Sequence, residues 1–408
     1  MAATGRSAAQ HYRDVRKHSL MLAEPLSDED CGAQSMTQAS PVKWHLAHTT
    51  WFFETFLLEP FEEHFKPHRQ AFRVLFNSYY NGIGARHPRA QRGLLTRPSM
   101  PEVLRYRGAV DERIVRCLEG GGPPELGALL ELGLQHEQQH QELILTDVKH
   151  MLAQNELYPA YMAGPLPVAA PCAPLDWLEF EAGLADIGHA GAGFCFDNEL
   201  PRHRQFVEPF ALASRLVTNA EYLRFIEAGG YADPALWLSE GWDWVAAQAG
   251  AHPLYWQRDG HGNWFEFTLH GLQRLDPARP ATHLSLYEAD AYARWSGARL
   301  PTEAEWEIAA CSAALETGRL HPAGSHGRQG LAQMFGHCWQ WTSSSYAPYP
   351  GYASAPGALG EYNGKFMLNQ YVLRGSSCAT PPGHARASYR NFFPSDARWQ
   401  FSGIRLAR

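Results

Sequence analysis

The chain has 408 residues, 45% of them hydrophobic and 19% charged, with a formal net charge of -7. That length supports two domains with cores of their own, and the mild acidity argues against nucleic acid or an anionic membrane as the main partner, since both demand concentrated basic surface. Met1 to Asp14 hold no apolar stretch of signal-peptide length and no 18-residue uncharged apolar run occurs anywhere, so a cytoplasmic location is expected. Seven scattered cysteines without a Cys-x-x-Cys pair point to reduced thiols. The 20 histidines exceed ordinary usage and favour metal chemistry.

The first 155 or so residues read as helices. One lies around Tyr12 to Leu22, and Ser40-Pro41, cap then proline, starts a second that runs through WHLAHTTWFFETFLL. Ser99 and Glu102 form a capping box ahead of Val103, Val110, Ile114 and Leu118 at helical spacing, with Gly120 to Gly122 as terminator. A fourth helix covers Leu126 to Leu152, and four such helices suit a bundle with a metal site in its core. A proline- and alanine-rich connector, AGPLPVAAPCAP, follows, which sets the expected domains at 1–160 and 176–408 with a linker at 161–175. Beyond it lie 11 of the 13 tryptophans, frequent glycine turns, and helical periodicity confined to short runs such as Ser285 to Ser296 and Thr302 to Ala310, as in a loop-rich domain of short strands.

His136-Glu137-Gln138-Gln139-His140 sits inside the fourth helix, where two imidazoles four residues apart share a face and can bind one metal ion. The same letters satisfy the His-Glu-x-x-His pattern of zinc peptidases, with Glu137 as general base. Those enzymes take a third ligand from a nearby downstream turn or helix, and here Gln-Glu-Leu-Ile-Leu-Thr-Asp follows, with Glu156 too early. His45 and His48 on the second helix are the alternative source. A lone histidine on an apolar helix is ordinarily a hydrogen-bonded core residue, but four on two helices of one bundle form a ligand set with one structural member. Three neutral imidazoles leave open octahedral positions that suit iron(II) with dioxygen better than closed structural zinc.

Over nearly its full length the chain resembles the ergothioneine-synthase type of iron enzyme, the sulfoxide synthases acting on hercynine. The matching segments are SPVKWHLAHTTWFFETF (40–56), LFNSYYNGIGARHPRAQRGLLTRPS (75–99), HEQQHQEL (136–143), ARLPTEAEWE (298–307), EYNGKFMLNQYVLRGSSCATP (361–381) and YRNFFPSDARWQFSGIRLA (389–407). The resemblance implies an α+β chain, with a DinB-like four-helix bundle followed by a domain of the formylglycine-generating-enzyme, C-type-lectin-like fold. It implies iron(II) on His48, His136 and His140, with His45 as the structural histidine and dioxygen as co-substrate. It further implies hercynine contacts at Gln139, Asn391, Phe392 and Phe393, whose aromatic faces suit a trimethylammonium group. Tyr79 or Tyr80 becomes the proton donor, and Arg89, among Arg86, Arg89 and Arg92, holds the carboxylate of the donor.

Departures from the family pattern bear on the donor. Relatives that use free cysteine carry Asp where this chain has Gln38, and losing that carboxylate removes a charged hydrogen bond worth about 1.5–3 kcal/mol to an ammonium group. Trp339-Gln340-Trp341-Thr342 replaces Trp-Glu-Trp-Thr, and His283-Leu284-Ser285-Leu286-Tyr287 also departs. These changes point to a selenoneine-synthase branch that uses a selenosugar, with cysteine or gamma-glutamylcysteine as alternative donors and local repacking as the structural explanation. The competing readings are the zinc peptidase, a non-catalytic lectin-like binding module beside a metal-stabilised bundle, and formylglycine generation, for which Cys338 and Cys378 are the only candidate thiols.

Overall fold

The computed structural model describes residues 7–121, 123–169, 171–248, 250–311, 320–325, 330–355, 358–361 and 363–408. Gly122 of the expected helix terminator, Ala170 of the connector and Tyr362 of one family-like segment lie outside them. The chain divides into two units, Met1–Glu156 with Pro356–Tyr362, and Leu157–Ala355 with Asn363–Arg408. The first is helical and the second mixes short helices with small sheets, an α+β chain.

Four long helices make the first unit: Ala8–Ala23, Val42–Phe53, Met100–Glu119 and Pro124–Ala153. The first packs on the third and fourth, and the second lies against both of the same helices. Val103, Tyr106, Val110 and Ile114, on one face of the third helix, are sealed in this core together with Tyr12, Trp51, Phe52 and Phe53. The Ser99–Glu102 capping box is present, and the third helix ends at Gly120 before Gly121 at φ +72°. The second helix starts one residue later than its sequence pattern predicts, because Pro41 occupies the cap position. Ser40 instead donates its N–H to Asp147 at 2.8 Å and accepts from Arg92 at 2.8 Å, so its polar groups serve the core and not the helix end. The same helix continues into a π turn, Glu54–Leu58, an irregularity often found beside functional sites.

The second unit carries a four-stranded sheet in the order Asn391–Phe393, Tyr371–Gly375, Trp339–Ser345, Ser402–Gly403, with only the last pair parallel. Smaller sheets pair Trp177–Phe180 with Phe210–Ala213 and Gly183–Ile187 with His203–Val207. Helices Leu286–Trp295 and Glu303–Ala310 start at Ser285 and Thr302, each with a complete capping box. Trp306, from the latter helix, packs with Phe210, Leu212, Met334 and Phe335 in a buried cluster. The described part of the 161–175 connector is bound to this unit: Met162 N–H donates to Leu269 O at 2.8 Å, and Ala169 N–H to Asp276 at 2.8 Å. Anchored backbone of this kind is not a free linker, and the second unit accordingly begins at Leu157.

Candidate metal centre

Each residue of a helix turns about 100°, so His136, Gln139, His140 and Asp147 of the fourth helix fall on one face, and Glu137 points away from it. Close approach of the second helix requires Gly133, one turn before His136, since a Cβ there would lie 2.6 Å from the Phe53 ring. His48 meets that face from the second helix. Ligand nitrogens of His48, His136 and His140 all lie within 4.8 Å of one another.

Each imidazole is oriented by its surroundings. His48 Nδ1 donates to the Phe76 carbonyl at 2.6 Å, which leaves Nε2 as the bare acceptor; that atom is buried and has no hydrogen-bond partner among the described residues. The His48 ring is held between two indoles, Trp44 at 4.6 Å and 13°, Trp51 at 5.6 Å and 16°. Phe52 lies against His136 at 4.7 Å. Burial, then the neighbouring His136, holds His48 well below the usual imidazole range. Burial takes His136 down to about 3, and burial, then the neighbouring His136, His48 and His45, also lowers His140. All three are neutral at physiological pH, as metal binding requires. His48 and His136 are sealed while His140 and Gln139 are half-buried, so the centre opens on the Gln139 side. Three neutral nitrogen donors with an open side fit a ferrous ion that keeps positions for reactants.

Glu137 is fully occupied elsewhere. Its Oε2 accepts from Arg16 at 2.8 Å, and its Oε1 from Ser19 at 2.5 Å and from Arg107. Burial alone would raise this carboxyl, but Arg107 and Arg16 outweigh it and bring it down to about 2. A carboxylate so held and turned from the imidazoles cannot be the general base of a zinc peptidase, which removes that reading.

The remaining expected residues fall into three groups. Tyr80 is buried against Phe56 at 5.2 Å and Trp51 at 5.6 Å, one ring removed from His48, and half-buried Tyr79 stacks on it at 4.8 Å. Arg89 and Gln38 are brought together, the guanidinium donating to the Gln38 carbonyl, yet both are exposed. The buried arginine of that loop is Arg92, whose guanidinium carbon sits 3.3 Å above the Trp44 ring that stacks on His48. Burial and then Arg89 pull Arg92 down to about 9. Arg92 was not singled out from the sequence, where three arginines at equal spacing look alike; its burial distinguishes it.

Asn391, Phe392 and Phe393 belong to the second unit, on an edge strand, with Phe392 stacked on Tyr346 at 4.0 Å and 9°. Gln340 is a core hub: its Oε1 accepts from Trp306 and Arg405, both at 2.7 Å, and its Nε2 donates to Met334 O at 2.8 Å. His283 likewise packs between Tyr255 and Phe401. Packing accounts for both departures. Cys338 and Cys378 are 0% and 2% exposed, closed to a peptide substrate, and none of the seven cysteines is in a disulfide.

Comparison with known proteins gives the same two parts. Residues 11–144 match the DinB superfamily, and 176–326 with 315–408 match the sulfatase-modifying factor enzyme 1-like domain. The chain is 30% identical to the hercynine oxygenase of Mycolicibacterium smegmatis over 96% of each chain. It is 30% identical to that of Mycobacterium tuberculosis over 98% of each. The formylglycine-generating enzyme of Streptomyces coelicolor is 34% identical over only 37% of this chain and 52% of its own length. With both parts matched and two full-length relatives sharing one description, the chain belongs to the hercynine oxygenase family.

Proposed function

We propose that this protein is an iron(II)-dependent oxygenase that uses dioxygen to join a chalcogen to C2 of the hercynine imidazole. The observation that carries the reading is the three-imidazole cluster, neutral, oriented and open on one side. His48, His136 and His140 would hold the iron, which when bound would supply dioxygen activation and open positions for the reactants. Gln139, on the same helical face as two ligands, positions the hercynine ring; Asn391, Phe392 and Phe393 are kept as hercynine contacts on the strength of the family resemblance, aromatic faces suiting a trimethylammonium group. The Tyr79–Tyr80 pair provides the proton. Arg89 is kept as the donor contact, and Arg92, packed on Trp44 and bonded to Ser40, fastens the same loop to the indole that stacks on His48. No helix among the described residues is long and apolar enough to cross a membrane.

For the donor we propose a selenosugar. With Gln340 and His283 accounted for by packing, the reading rests on Gln38 standing where an aspartate would pair with an amino acid's ammonium group. Asp147, a carboxylate of the same neighbourhood, is already engaged by Ser40 and His45. The test incubates iron-loaded protein with hercynine and dioxygen, and in parallel a selenosugar, cysteine or gamma-glutamylcysteine, and reads product masses. A selenium adduct of hercynine formed from the selenosugar alone is expected. A sulfur adduct from either thiol with none from the selenosugar overturns the donor; hercynine binding without any product overturns the activity.

A further inference from the structure

His45 and Asp147 belong to the bundle core, and neither is among the three clustered imidazoles. His45 Nε2 lies 3.0 Å from Asp147 Oδ2, and His45 Nδ1 lies 2.8 Å from His140 Nδ1. All three residues sit in one row, because His45 is one turn ahead of His48 on the second helix and Asp147 is seven residues beyond His140 on the fourth. Asp147 is itself fixed by the Ser40 N–H at 2.8 Å.

The proton positions follow from the acceptor at the end of the row. A carboxylate only accepts, so His45 carries its proton on Nε2 and donates to Asp147. For His140 to offer an Nε2 lone pair to an ion, its single ring proton sits on Nδ1 and is donated to His45 Nδ1, the atom left to accept once His45 Nε2 donates to Asp147. His48 reaches the same tautomer by a separate route, its Nδ1 donating to the Phe76 carbonyl.

We propose that His45 and Asp147 are positioning residues that fix the tautomer and ring orientation of His140, so that Nε2 is the atom it offers to the metal. The inference rests on the three-imidazole centre proposed above and adds to it an ordered row, Asp147 to His45 to His140. A backbone carbonyl serves the buried ligand His48, whereas half-buried His140, on the open side of the centre, is held by a side-chain row that ends in a charge. Partners of this kind, when lost, weaken metal affinity by about 10–100-fold.

The experiment titrates cobalt(II) anaerobically into metal-free wild type, Asp147→Asn, His45→Phe and, as a control, His136→Ala, and reads affinity and the visible absorption of the bound ion. The amide of the Asp147→Asn variant still offers an oxygen to the Ser40 N–H, and the phenyl ring of His45→Phe retains much of the imidazole's packing. Both variants are expected to bind cobalt about 10–100-fold more weakly with a changed absorption band, beyond anything tracked by the melting temperature of the metal-free protein. Wild-type affinity and an unchanged band in both variants overturn the row. If wild type and His136→Ala bind cobalt equally, the metal centre itself is wrong, a separate failure. Should the variants not fold, nitrogen-15 NMR of histidine-labelled, zinc-loaded wild type decides: coordination of His140 through Nε2 with a protonated Nδ1 is expected, and coordination through Nδ1 overturns the proposal.

Discussion

Two buried polar clusters meet on the fourth helix and are built on opposite principles. On one side Glu137 is saturated by Arg16, Arg107 and Ser19, a set whose charges and lone pairs are met from within the protein. On the other, His48, His136 and His140 present neutral nitrogens to a shared space, and His48 Nε2 has no protein partner among the described residues. Burial of an unmet polar atom costs about 1–3 kcal/mol, and at His48 that cost falls where an ion can be held. Adjacent letters of one motif thus divide into ligand and scaffold.

Removing a ligand separates the two clusters most sharply. His48→Ala and His136→Ala are each expected to abolish stoichiometric iron binding, read by metal analysis after anaerobic loading, while the Arg16–Glu137–Arg107 set keeps the bundle folded by circular dichroism. Glu137→Gln reverses the pattern. It leaves two buried guanidinium groups under-compensated, which destabilises the metal-free protein by about 3–5 kcal/mol in urea unfolding. Iron stoichiometry of the folded fraction is expected to be unchanged; loss of iron with unaltered stability would move Glu137 into the centre.

How much of this division was legible in the sequence follows from the range of the interactions. Capping boxes are local, and Ser99–Glu102, Ser285–Glu288 and Thr302–Glu305 mark their helices. The same logic applied to Thr218 and Glu221 marks the helix Asn219–Glu227, which periodicity alone had not suggested. Strands of two to five residues, such as Ser402–Gly403 and Tyr371–Gly375, carry too little alternation to be seen. The roles of Ser40, His45 and Arg92 were hidden for another reason. Ser40 and His45 answer to Asp147, more than 100 residues along the chain, and Arg92 differs from Arg86 and Arg89 only in being packed on Trp44.

Acid is expected to unfold the two clusters in sequence. The imidazoles are held below their unfolded value near 6.5, so the unfolded chain takes up protons first, and stability falls as pH drops from 6.5 toward about 3 for His136. Each such group contributes a slope of up to about 1.4 kcal/mol per pH unit. Glu137, lowered from 4.5 to about 2, contributes fully above 4.5 and is lost only below it. Urea midpoints of metal-free protein between pH 7 and 5 therefore report buried histidines and not Glu137, with His384, His18, His68 and His150 contributing beside the three imidazoles. His136→Phe is expected to lower the slope in that interval by up to about 1.4 kcal/mol per pH unit, and an unchanged slope would mean that His136 is not held neutral by the fold.

The smallest effect concerns Gln340, a buried amide whose environment can be compared with that of Glu137. Glu137 faces only donors, so a carboxylate suits it; Gln340 faces donors on one side, Trp306 and Arg405, and carbonyl acceptors on the other, Met334 and Gln333. An amide satisfies both sides and a carboxylate only one. Gln340→Glu gains a charge partner in Arg405 but turns an oxygen toward two carbonyls, so the net cost is set at about 1 kcal/mol, the scale of one lost neutral hydrogen bond. It is measured as a small drop in urea midpoint with unchanged iron content and unchanged donor preference. A shift in donor preference in this variant would place residue 340 back among the determinants of the reaction and weaken the weight given to Gln38.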